Sequence, residues 1–118
     1  MRRAAIGAAA LGMVLAGCAT IKLPADQLEK SQATIKSAEV LGADKTPSAK
    51  LHLQFAKDEQ QNARDMADRG DERAFSMLAC SQADADLAVV LAQEAQVRGQ
   101  AAKAARDVST LKERGNRP

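Results

Sequence analysis

The chemistry this chain can support starts from its two sulfur positions. Cys18 closes the run Leu15-Ala16-Gly17-Cys18, and Cys80 is the only other thiol. A diacylglyceryl transferase builds its thioether on a cysteine and nothing else. The peptidase that then cuts before that cysteine needs small residues, here Ala16 and Gly17, lying extended in its site. Ahead of them Arg2 and Arg3 form a basic start, and residues 4–15 form an apolar stretch. That stretch is well short of the roughly 20 apolar residues of a bilayer span and suits a signal peptide. Leu15 to Cys18 therefore reads as a lipobox. Residues 1–17 are the expected signal peptide, with Leu15, Ala16 and Gly17 recognised by the peptidase. Residues 18–25 are the expected lipidated N-terminus and short linker. Cys18 would carry an S-diacylglycerol and an N-acyl chain, enough for stable anchoring where a single chain is marginal. Ala19 stands where an Asp would hold such a protein at the inner membrane, which favours the outer membrane and a periplasm-facing body.

The remaining reactive side chains do not assemble into a catalytic pattern. Cys80 has no intrachain partner once Cys18 is lipidated. It reads as a small buried helix residue, with an intermolecular bridge in an oxidising compartment as the alternative. His52 is the only histidine, and no ligand spacing joins it to Cys80 or to carboxylates in a metal site; it reads as a helix-edge residue. Asp84 and Asp86, two apart on a helix, point about 200° from each other and do not share a substrate. No serine sits in a nucleophile motif and no glycine-rich phosphate loop is present. The expectation is no enzyme, no cofactor, no metal and no small-molecule substrate.

Composition narrows the partners. Phe55 and Phe75 are the only aromatics, with neither Trp nor Tyr, so the flat platforms that stack sugars or single-stranded bases are missing. The 17 basic and 15 acidic side chains become balanced once Arg2 and Arg3 leave with the signal, which removes a net-charge argument for nucleic acid. Much of the apolar content is alanine, which buries little area. A core that thin is marginal in a domain of about a hundred residues, so self-association or an envelope protein partner is expected.

The elements that hold these residues are helical. Asp26 with Glu29 has capping-box spacing, Leu28, Ser31, Ile35 and Ala38 share one face, and Gly42 marks a stop. Residues 43–46 read as a turn. Thr46-Pro47 reads as a second helix start, Pro at its first position needing no N–H. That helix is expected to run to about Arg69, with Leu51, Phe55, Ala56, Ala63, Met66 and Ala67 on its apolar face and Leu53 broadening it. Gly70-Asp71 predicts a tight turn between antiparallel helices, Gly left-handed and Asp capping the next helix. The third helix is expected from Glu72 to about Leu111, with residues 26–114 as the helical domain and 115–118 as a disordered tail.

In that third helix Ala74, Ser81, Ala88, Ala95, Ala102 and Ser109 recur every seven residues, and Leu78, Ala85, Ala92 and Gly99 fall four residues after the first four of them. This is a heptad seam of small residues, along which another helix can approach closely; Phe75, Leu87, Val90, Leu91 and Val97 flank it. At 1.5 Å per residue the third helix reaches about 60 Å against roughly 35 Å for the second. The part after about Glu94 must overhang, and it either frays or meets another chain. The expected fold is all-α: an antiparallel helical hairpin, similar to a tetratricopeptide-type pair, with a shorter N-terminal helix and a long C-terminal helix.

From Leu41-Gly42-Ala43 through Pro47 and Leu51, then Ala67, Gly70-Asp71, Ala74 and Asp84-Ala85-Asp86-Leu87-Ala88, the chain resembles a bacterial alanine-rich lipoprotein family catalogued only as a domain of unknown function. The resemblance implies a lipid-anchored envelope protein without assigned catalytic residues. The role expected from residues and resemblance together is structural or scaffolding. A helical-repeat-like module that binds peptides or proteins is the alternative.

Overall fold

The computed structural model describes residues 19–116. It is all-helical: α1 spans Ala25–Val40, a single 3-10 turn spans Ala43–Lys45, α2 spans Pro47–Asp68 and α3 spans Arg73–Gly115. Leu15, Ala16, Gly17 and Cys18, read above as a lipobox, lie outside the described residues.

Helix boundaries follow the local chemistry. Gly42 is left-handed at φ 77°, and its N–H bonds back to the Glu39 carbonyl, closing α1 as a glycine just past a helix end does. Pro47 occupies the first turn of α2, and Thr46 before it is extended but makes no side-chain capping bond. Gly70, at φ 73°, lets the chain reverse after α2. The Asp71 carboxylate then accepts the Arg73 backbone N–H at 3.0 Å. The same carboxylate receives the Arg73 guanidinium at 2.6 Å, and these bonds hold its pKa down at about 2. At the start of α1 the expectation differs from the structure. Pro24, not Asp26, precedes the helix, and no side chain caps it; the conformation fixed by proline sets the entry instead.

The helices run up, down and up. Ser81 lies opposite Ala56 and Asp84 opposite His52, which makes α2 and α3 antiparallel. Ser31 reaches Ser81 and the Leu41 carbonyl reaches Gln96, so α1 lies parallel to α3. The first helix is a full member of the bundle, closing the hairpin into three helices, with Ser31, Ile35 and Ala38 buried.

Alanine dominates the core. Ala38, Ala43, Ala49, Ala56, Ala63, Ala74, Ala85 and Ala88 are fully covered, and Leu78 is the largest of the fully buried side chains. Small residues let three backbones come close, so packing rather than apolar volume sets the geometry. Two expected core positions are displaced by this. Leu51 and Phe55 stay exposed, while Ala49, Leu53, Ala56, Ala63 and Ala67 form the buried stripe of α2. A phenyl ring does not fit where helices meet on alanine. Cys80, expected to be buried, is exposed.

The segment expected as a short linker is hydrogen-bonded to the bundle. The Ile21 N–H donates to the Ala67 carbonyl at 3.0 Å, and the Ala19 carbonyl lies against Gly70, where a Cβ would have no room. Residues 19–24 therefore strap across the hairpin end of the bundle. At the other end α3 continues as helix through Gly115, beyond the boundary at which a disordered tail was expected.

Candidate functional site

The small-residue seam of α3 is the feature by which this chain brings helices together. Ala74, Leu78, Ser81, Ala85, Ala88 and Ala92 are all buried, packed against α1 and α2 of the same chain. Ala95 is half-covered where α1 ends, and Gly99 and Ala102 are exposed. Two-thirds of the seam is therefore an intrachain interface, and only its last third is open.

At the centre of the seam a polar chain threads all three helices. Gln60 Nε2 donates to Ser31 Oγ at 3.1 Å, Ser31 and Ser81 hydroxyls are 2.9 Å apart, and Ser81 Oγ donates to the Ala56 carbonyl at 2.7 Å. Ser81 spends its one proton on that carbonyl, so Ser31 donates to Ser81. Every hydroxyl in the chain both gives and receives, which is how buried polar groups avoid an uncompensated desolvation cost. A second link joins α1 to α3 through Gln82 Nε2 and Thr34 Oγ1 at 3.1 Å.

One cluster of titratable groups forms that single-helix reasoning does not find. His52 Nδ1 lies 2.6 Å from Asp84 Oδ1, and Glu59, two turns along α2 from His52, shares the same carboxylate. Burial pushes the Glu59 pKa up, and the charge of Asp84 and a hydrogen bond with it push the same way. Glu59 Oε2 is covered and accepts no donor. The three groups meet across the α2–α3 contact. The signal that would have found it is the antiparallel register fixed by Gly70-Asp71, which brings His52 level with Asp84. Asp86, as expected, takes a different direction: it accepts from Gln82 on its own helix at 2.9 Å. Among the described residues no group of three or more His, Cys, Asp or Glu is arranged to hold a metal ion.

The surface offers shallow grooves. The first, about 340 Å³, lies between α1 and α3 beside Gln27, Lys30, Leu78, Ala79 and Gln82, at the small end of ligand-pocket sizes. By length and composition alone, α3 is apolar enough to cross a membrane. Its buried face is already engaged by α1 and α2, and Asp84 and Asp86 lie within the same apolar stretch.

Beyond Gln96, which donates to the Leu41 carbonyl at 2.8 Å, α3 leaves its own bundle. Every described residue from Gln96 onward is exposed. Val97 is 62% and Leu111 66% open to solvent. The overhang carries ion pairs of its own, Arg98 with Glu94 at 2.6 Å and Lys103 with Asp107 at 2.8 Å, both at the i,i+4 spacing that supports a solvated helix. Comparison with protein-family models, with curated proteins and with solved structures finds no match.

Proposed function

We propose that this chain is a lipid-anchored lipoprotein of the bacterial outer membrane, facing the periplasm, and that its helical body serves as a scaffold through helix–helix contact. The single observation that carries the reading is the lipobox, Leu15-Ala16-Gly17-Cys18, behind a basic start and a short apolar run. Two features of the fold support it. Ala19, the residue after the lipid-bearing cysteine, lies against the Gly70 turn, so an anchor at Cys18 would leave the bundle at one defined end. The exposed part of α3 then projects from the opposite end, away from the anchor, where an envelope partner or a second copy can reach it. The proposal is of a non-enzyme.

Cys18→Ala tests the anchor directly. Expected results are an unprocessed chain and loss of the protein from the outer-membrane fraction, with mass spectrometry of the wild type finding a triacylated Cys18 at the mature N-terminus. Unchanged processing and fractionation of the variant would overturn the proposal. The alternative, a peptide-binding module, rests on the groove between α1 and α3. Binding of extended peptides that is lost in Ala79→Arg, a change at an exposed position on that groove, would favour it.

A further inference from the structure

The heptad that buries one side of α3 repeats on the opposite side, where nothing covers it. With the buried residues Ala74, Ser81 and Ala88 at one phase and Leu78, Ala85 and Ala92 at another, the positions that make an outward seam start at Cys80 and Ala83. They continue through Leu87, Val90, Glu94, Val97, Ala101, Ala104, Val108 and Leu111 at alternating steps of three and four residues. All of them are exposed. This is the a/d spacing of a left-handed coiled coil, sustained along α3 from the bundle into the overhang. An exposed apolar stripe of that length, interrupted only by Glu94, marks an interaction site. Beyond the bundle the helix buries nothing within its own chain, whereas most helical stability in proteins comes from packing an apolar face.

We propose that the occupant of this face is a second copy of the chain, paired through α3 in parallel and in register. Charge chooses the partner. In that arrangement Asp107 of one copy flanks the seam opposite Lys112 of the other, and symmetry makes this contact twice. Glu94, the one charged residue in the seam, is bonded to Arg98 of its own chain at 2.6 Å, so each copy brings a neutralised carboxylate to that layer. Length chooses it too: a seam this long needs a partner helix of similar length, and at 43 residues α3 is the only described helix that qualifies. Parallel pairing also puts both Gly70 ends, each beside its own Ala19, on the same side. Two anchors in one membrane require that, a point that rests on the lipoprotein reading. In-register pairing brings the two Cys80 thiols into one layer of the seam.

That last consequence supplies the test. The full-length chain and its Cys18→Ala variant, each with and without Cys80→Ser, are treated in cells with diamide. This diazene oxidant accepts two electrons and two protons from two thiols as one disulfide forms. The pairing predicts a dimer on non-reducing gels that depends on Cys80 in both Cys18 backgrounds, because the seam does not need the lipid. It also predicts that Val97→Lys with Leu111→Lys lowers the Cys80-linked dimer by at least about tenfold, a change worth roughly 1.4 kcal/mol, while the helical signal of the bundle is retained. No Cys80-dependent dimer in either background would overturn the pairing, as would a dimer indifferent to the two lysines, which would report collision of exposed thiols. Loss of membrane fractionation is read separately on Cys18→Ala. The anchor and the pairing can therefore fail independently.

Discussion

Ser31 and Ser81 lie 50 positions apart in sequence and 2.9 Å apart in the bundle, and both are fully buried. Among the described residues, this hydroxyl pair is the only place where α1, α2 and α3 all exchange hydrogen bonds through one link. Ser81→Ala removes the donor to the Ala56 carbonyl and the acceptor for Ser31 together. The expected loss is about 1–3 kcal/mol by urea denaturation. Ser81→Leu should cost more, because the close approach leaves no room for the added carbons.

Glycine at the two reversals should respond unequally. Gly42 and Gly70 have nearly the same positive φ, 77° and 73°. A Cβ at Gly42 meets only the flexible Lys45 side chain at 3.6 Å, whereas at Gly70 it meets the Ala19 carbonyl. Gly42→Ala should cost about 1–2 kcal/mol for the left-handed backbone alone. Gly70→Ala should exceed that and also release the strap. Faster hydrogen exchange at the Ile21 amide would report the release, and protection unchanged from the wild type would contradict it.

The Glu59–Asp84–His52 line sets a pH dependence. The Glu59 pKa is raised above its usual 4.5 in the folded chain. Its contribution is therefore fully present below about 4.5 and is lost as pH rises through the folded value. Glu59→Gln supplies a permanent donor to Asp84 without a second negative charge. The variant should be more stable than the wild type at neutral pH, with the gap closing as pH falls through the raised folded value toward 4.5; thermal melts across that range measure it. Asp71 has the opposite sign. Held down to about 2, it favours the fold above its ordinary 3.8 and loses that effect only as pH falls through about 2, which carboxyl titration by NMR checks.

Truncation after Gly99 separates the bundle from the overhang. Buried residues of α3 end at Ala92, so the truncated chain should keep its denaturation midpoint at low protein concentration, within about 0.5 kcal/mol, as surface changes do. The full chain should become more stable as its concentration rises, by mass action on the pair. The truncated chain should not.

Local punctuation made the elements legible. Gly42, Thr46-Pro47 and Gly70-Asp71 mark the reversals where the structure puts them, and the seam from Ala74 to Ala92 is buried as a face. What single helices do not specify is which of two apolar stripes wins. On α2, Leu51 and Phe55 offered more area than Ala49, Ala56 and Ala63, yet the alanines are inside, because three backbones at close range exclude a ring. Cys80 faces outward because it falls out of phase with the buried positions Leu78, Ser81 and Ala85. The meeting of His52 with Asp84 depends on the register between two helices, which neither helix encodes alone.

The strap across Gly70 has a mechanical consequence. Because residues 19–24 are bonded to the end of the hairpin, a pull at the N-terminus is delivered into the turn between α2 and α3 rather than absorbed by slack chain. The bundle is mounted stiffly at its base. With α3 running 43 residues from that base, its far tip stands off by roughly 65 Å, at a height set by one uninterrupted helix.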